Sequence, residues 1–165
     1  MDVLKPYRIP FRGLKEGIHQ FEFRLDGAFF EEFENEELID SSFSIDLELD
    51  KKPTFLELRF DFEGEFKTEC DRCMEDLTLP IEGSRDLIAK ENGDMDDEDI
   101  ICIGMNDTEV DLSRVFYEAI VIALPLKRAH EESDCDPEVL NDLDTYSRSD
   151  SEEMDPRWEA LKKLK

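Results

Sequence analysis

Two cysteines separated by two residues, Cys70-Asp71-Arg72-Cys73, are the part of this sequence most suited to chemistry. Thiolates at that spacing can face one point across a tight turn, which is half of a tetrahedral zinc site. The candidates for the other half are His130 and Cys135, whose separation of four intervening residues suits a second ligand pair. Cys102 is a spare. Its neighbours Ile101 and Ile103 mark it as a small buried apolar residue that needs no metal. Zinc held by Cys70, Cys73, His130 and Cys135 would have three thiolates and one neutral imidazole, for a net charge of about −1. It would tie a distant acidic segment to the turn. Four protein ligands close such a site, which makes it structural rather than catalytic.

Two other readings of the pair stay open: structural thiols, or a redox couple of the cytosolic Cys-x-x-Cys kind. Redox couples usually open a helix, whose N-terminus lowers the thiol pKa. The residues flanking Cys70 and Cys73 alternate like strands instead. Catalysis finds little else to use. There are two histidines, and His19 sits beside a predicted strand with no evident partner. Seven glycines form no phosphate-cradling loop. Acids are so frequent that a carboxylate pair carries no weight. The expectation is a protein that is not an enzyme and takes no small-molecule substrate.

The elements that must position the cysteines are strands. Phe21, Phe23 and Leu25 alternate with Glu22 and Arg24. Phe43, Ile45, Leu47 and Leu49 repeat the pattern, and Lys51 to Thr54 reads as a turn. Leu56, Leu58, Phe60, Phe62 and, past Gly64, Phe66 follow. Period two over such lengths predicts half-buried strands. Leu77 to Ala89 reads as the return strand, so a hairpin turns near residues 70–76 and carries the cysteine pair. Ile100–Ile103 reads as a last strand.

The period then becomes helical: Leu112, Val115, Phe116, Ala119, Ile120 and Ala123, with Asp111 placed to cap and Pro125 to stop. Val121 and Ile122 widen the apolar face, so this helix should pack across the sheet. Residues 129–156 hold few large apolar groups and should be largely mobile. A short helix is predicted after Asp155 and Pro156, with Trp158, Leu161 and Leu164 on one face. It suits either a recognition segment or docking on the core. The predicted class is α+β: a mostly antiparallel sheet packed by one long helix over residues 1–128, then an acidic, partly mobile tail over 129–165.

Forty-five acids against 20 bases leave a net charge of −25 on 165 residues. Residues 31–50 carry nine acids and no base, as do residues 91–111, and residues 129–156 carry eleven acids and one base. Such blocks are either solvated loops or a docking surface for a basic protein. Broad contact with a phosphate backbone or an anionic membrane is disfavoured. The start of the chain lacks a signal-peptide core, and the apolar run from Ala119 to Pro125 is far short of the ~20 residues of a membrane helix. A cytoplasmic protein is expected, in which four cysteines are not two disulfides.

The ordered combination resembles one family. Cys70-Asp71-Arg72-Cys73-Met74 lies at a strand junction and precedes an acidic loop. Val110-Asp111-Leu112-Ser113 then opens a helix that ends Ala123-Leu124-Pro125-Leu126. Over about residues 10–130 this resembles the YceD-like proteins of bacteria and plastids, the large ribosomal RNA subunit accumulation proteins. Asp155-Pro156-Arg157-Trp158 and the Leu-Lys-Lys-Leu ending resemble the C-terminus of many members. The resemblance implies a non-enzymatic role in ribosomal RNA accumulation and large-subunit assembly. Many members have a second cysteine-rich cluster after the Leu-Pro-Leu segment, here reduced to His130 and Cys135. The expected partner is a basic ribosomal protein or a pre-ribosomal particle. Direct RNA contact would be limited to local basic patches such as Lys5, Arg8, Arg12 and Lys15, or Lys127 and Arg128. The rivals from other classes are a zinc-binding interaction module without a ribosomal role and a thiol redox protein.

Overall fold

The computed structural model describes residues 2–91, 99–131 and 134–147. These fall into two compact units. One comprises the described residues within Met1–Thr68 and Thr78–Leu126, the other those within Glu69–Leu77 and Lys127–Lys165.

The first unit is built on a sheet of five strands. These are β2 (Gly17–Leu25), β3 (Ser42–Lys51), β4 (Phe55–Glu69), β5 (Asp76–Glu91) and β6 (Ile100–Ile103), side by side in that order. β2 and β3 are antiparallel, as are β3 and β4. Register matches the apolar sets: Phe21 faces Leu47, Ile45 faces Phe62, and Leu47 faces Phe60. A slip of one residue would turn every one of these to water, so the alternation specifies the pairing. Gly64 is required by a close approach, because a Cβ there would stand 2.2 Å from the Ser42 carbonyl oxygen of the neighbouring strand.

The expected last strand, β6, is paired parallel to β5, which makes the sheet mixed. It is also not the last. A two-residue strand β7 (Val110–Asp111) follows and pairs with β1 (Arg8–Ile9). Arg8 Nε lies 3.0 Å from the Asp111 carboxylate across that pair.

Helix α2 (Ser113–Ala123) starts directly after β7. Asp111 caps it from one residue outside the N-cap position, accepting from the Ser113 N–H at 3.0 Å and from its hydroxyl at 2.5 Å. Burial by itself would raise the Asp111 carboxyl. The Ser113 hydrogen bonds and Arg8 outweigh it and hold the carboxyl below its ordinary range. Leu124 is extended ahead of Pro125, and the helix ends there.

At 11 residues α2 is about three turns, not the long helix expected. It also buries a narrower stripe than expected. Phe116 and Ile120 are fully buried, while Ile122 is 77% exposed. With 3.6 residues per turn, position 122 falls on the side opposite 116 and 120. The Phe116 ring packs edge-on to Phe60 at 5.0 Å and beside Phe23 at 5.3 Å, which seats α2 on the sheet. Tyr7 closes the same core. It meets Phe29 at 4.8 Å, and its hydroxyl donates to the Arg24 carbonyl. Phe29 belongs to the short helix α1 (Gly27–Glu31), capped by the Asp26 side chain.

In the second unit, helix α3 (Pro137–Ser147) occupies part of the stretch expected to be mobile. Asp136 accepts from the Glu138 N–H at 2.8 Å, and Pro137 takes the first helical position. Capping by Asp136 and the helical spacing of Val139, Leu140, Leu143 and Tyr146 form a helix there. The expected terminal helix from Asp155 lies outside the described residues.

Candidate metal centre

The second unit brings Cys70, Cys73, His130 and Cys135 together. One ligand atom from each lies within 4.8 Å of all the others. Cys70 and Cys135 are buried, and Cys73 and His130 are half-buried.

The turn after β4 presents the first pair. The Cys70 N–H donates to the Glu75 carbonyl, and the Met74 N–H donates back to the Cys70 carbonyl at 2.9 Å. Closing so tight a loop places Met74 in the left-handed region, at φ 61°. A non-glycine residue there costs of order 1 kcal/mol and persists only where its surroundings hold it. The second pair is clamped to the turn by backbone groups. The Asp71 N–H donates to the Arg128 carbonyl, while the Arg128 N–H donates to the Asp71 carboxylate at 2.7 Å. The Arg72 guanidinium donates to the His130 carbonyl.

Two of the ligand-to-ligand distances match tetrahedral zinc. Tetrahedral sulfurs bonded at about 2.3 Å stand about 3.8 Å apart, and a sulfur and an imidazole nitrogen stand about 3.6 Å apart. Here Cys70 Sγ lies 3.8 Å from Cys135 Sγ, and Cys73 Sγ lies 3.4 Å from His130 Nδ1. The histidine is oriented for the role. Its Nε2 faces the Asp76 carbonyl at 3.1 Å, and a carbonyl only accepts. Nε2 therefore carries the proton and Nδ1 turns its lone pair to the sulfurs, the usual support of a metal-bound histidine.

Electrostatics couple the four groups. Burial raises the Cys70 thiol, but backbone N–H donors from Cys73, Arg72 and His130 outweigh it and bring the group down to about 5. Burial pushes Cys135 up to about 11, and the neighbouring Cys70 and Cys73 sulfurs add to that rise. The hydrogen bond to Cys73 holds His130 above its ordinary value. Three sulfurs this close cannot all be anionic without a cation among them, so one thiol ionises at the expense of another. A divalent ion would take all three as thiolates and release their protons.

Cys102, expected to be buried, is exposed on β6 and takes no part in the cluster. In that strand it is Ile103 whose side chain is buried, and Cys102 alternates away from it. His19 places Nε2 2.8 Å from the Lys15 carbonyl. Arg72 and the Asp76 carbonyl are supporting groups that the sequence did not single out.

A small α+β protein with a closed Cys3His cluster is the class these observations define. Residues 58–165, which contain all four cluster residues, match the family of the large ribosomal RNA subunit accumulation protein YceD. This chain belongs to that family. It is also similar to the uncharacterized protein YlbN of Bacillus subtilis (strain 168), with 28% identity over 116 residues. That alignment covers 66% of this chain and 66% of the relative. No solved structure matches the chain. Among the described residues, no helix is long and apolar enough to cross a membrane.

Proposed function

We propose that this protein is a non-enzymatic factor in the accumulation of large-subunit ribosomal RNA, acting in assembly of the large subunit through a basic ribosomal protein. Family membership across residues 58–165 is the observation that carries the reading. The charge of −25 supports a basic protein, rather than RNA itself, as the main contact. Cys70, Cys73, His130 and Cys135 hold a zinc ion that fastens residues 127–140 to the turn after β4. Four protein ligands leave that ion no open position for a substrate, which suits a scaffold rather than a catalyst.

Co-sedimentation tests the assembly role. The protein should travel with large-subunit precursors at low salt and leave them as salt rises and the Debye length falls below ~10 Å. Cells lacking the protein should hold less large-subunit than small-subunit ribosomal RNA. Unchanged ribosomal RNA ratios, together with no co-sedimentation at any salt, would refute the reading.

A further inference from the structure

The outward face of the five-stranded sheet carries an acidic row that strand register aligns. Glu22 in β2 lies opposite Asp46 in β3, and Asp46 lies opposite Asp61 in β4. All three are exposed, on strands spaced about 4.8 Å apart. Further along, Asp50 lies opposite Glu57, and Lys52 Nζ bridges the two at 2.6 Å and 3.8 Å. Like charges directly opposite one another destabilise a sheet. No ion pair within 4 Å joins Glu22, Asp46 or Asp61 to a base among the described residues. Arg59 lies opposite Glu48 and is paired with Asp86 at 2.6 Å, and its charge also acts on Glu48 and Asp61.

The face is grooved as well as charged. One groove of about 310 Å³ runs beside Glu22, Asp46, Glu48 and Asp61. Another of about 360 Å³ is walled by Glu48, Asp50, Glu57 and Asp86, with Ile88 in its lining. Ile88 is 39% exposed, and Ile18, opposite Asp50, is 62% exposed. Long basic side chains suit such a surface, because their aliphatic stems can lie on isoleucine while their heads reach carboxylates. Asp46, Glu48 and Asp50 repeat every second residue of β3, about 6.8 Å apart. An extended segment presents alternate side chains at the same repeat.

We propose that this sheet face is a docking surface for an extended Lys/Arg-rich segment of a partner protein. The proposal rests on the functional reading above and names the surface that reading uses. A basic side chain relieves the Glu22–Asp46–Asp61 row, which no ion pair within 4 Å balances among the described residues, and a nucleic acid phosphate is repelled by the same row.

The test uses the full chain and a fluorescent synthetic peptide of alternating lysine and threonine, titrated at low salt. Neutralising the row with Glu22→Gln, Asp46→Asn and Asp61→Asn should raise Kd about tenfold, the loss of roughly 1.4 kcal/mol. The control Glu138→Gln, Asp142→Asn and Asp144→Asn, in α3, removes equal charge and should leave Kd within about twofold. Equal weakening by both sets, or none by the first, overturns the proposal. The first variant should also unfold in urea at a midpoint no lower than wild type, since it relieves repulsion. A lower midpoint would mean that the row is balanced within the fold, and overturns the proposal too. Co-sedimentation separates the two levels. Wild-type protein that never follows large-subunit precursors removes the functional reading and leaves the peptide result standing. A face variant that follows them as well as wild type removes the docking face alone.

Discussion

Cys73→Ser should cut the zinc affinity of the second unit and loosen residues 129–140 together with the turn that carries the substitution. Cys73 Sγ lies 3.4 Å from His130 Nδ1, so the side chain joins the turn directly to the distant segment. A hydroxyl is a poor zinc ligand. Its introduction should weaken zinc binding by more than the roughly 10–100-fold that follows loss of a ligand's outer partner. The binding energy of a structural zinc is folding energy, so the effect spreads to every element the ion fastens. Limited proteolysis read by mass spectrometry checks this. Cleavage between residues 129 and 140 should become faster in the variant, while the β2–β4 region stays protected. An unchanged cleavage rate would break the link between the turn and the acidic segment.

The second large effect lies in the other unit. Phe116→Ala should cost about 3–5 kcal/mol, the range for deleting a fully buried aromatic ring. Phe116 is 0% exposed and touches the rings of Phe23, Phe60 and Tyr7, so its loss leaves a cavity walled by strands and an N-terminal segment that cannot easily close on it. Ile122→Ala, on the side of α2 opposite Phe116 and Ile120, should change stability by less than about 0.5 kcal/mol. Urea unfolding followed by far-ultraviolet circular dichroism separates the two. Similar costs for both would mean that α2 does not pack by the Phe116 face.

The strands themselves were legible because one face is buried and the other wet. Their order in the sheet was not, because alternation shows strands but not which of them pair. Phe43 to Leu49 and Leu56 to Phe66 alternate over enough residues for period two to be unambiguous, and the structure places β3 and β4 there. Two-residue strands offer no period, which hides the pairing of Arg8 with Asp111. Parallel pairing of β6 with β5 was hidden too, because Ile100–Ile103 shows apolar content but not direction. Helix α3 escaped although Val139, Leu140, Leu143 and Tyr146 recur at helical spacing behind Asp136 and Pro137, because the many acids around them read as a solvated tail.

For the candidate site, residue type and spacing were enough to single out the four residues that the structure brings together. The groups that orient them were not legible, because backbone N–H and carbonyl groups are common to every position. The Asp76 carbonyl that faces His130 Nε2 is one such case. The charge was legible in amount but only partly in placement. Alternation with Phe43 to Leu49 already puts Asp46, Glu48 and Asp50 on the outer side of a strand, but their alignment with Glu22 and Asp61 depends on strand order and register.

The most direct test of the metal centre is elemental analysis of protein purified without chelator, for the wild-type chain and for Cys70→Ser. About one zinc per wild-type chain and almost none in the variant is the expected result, because a closed tetrahedral site does not survive loss of a buried thiolate. Wild-type protein without zinc, or a variant that keeps it, would contradict the assignment of Cys70, Cys73, His130 and Cys135 as ligands.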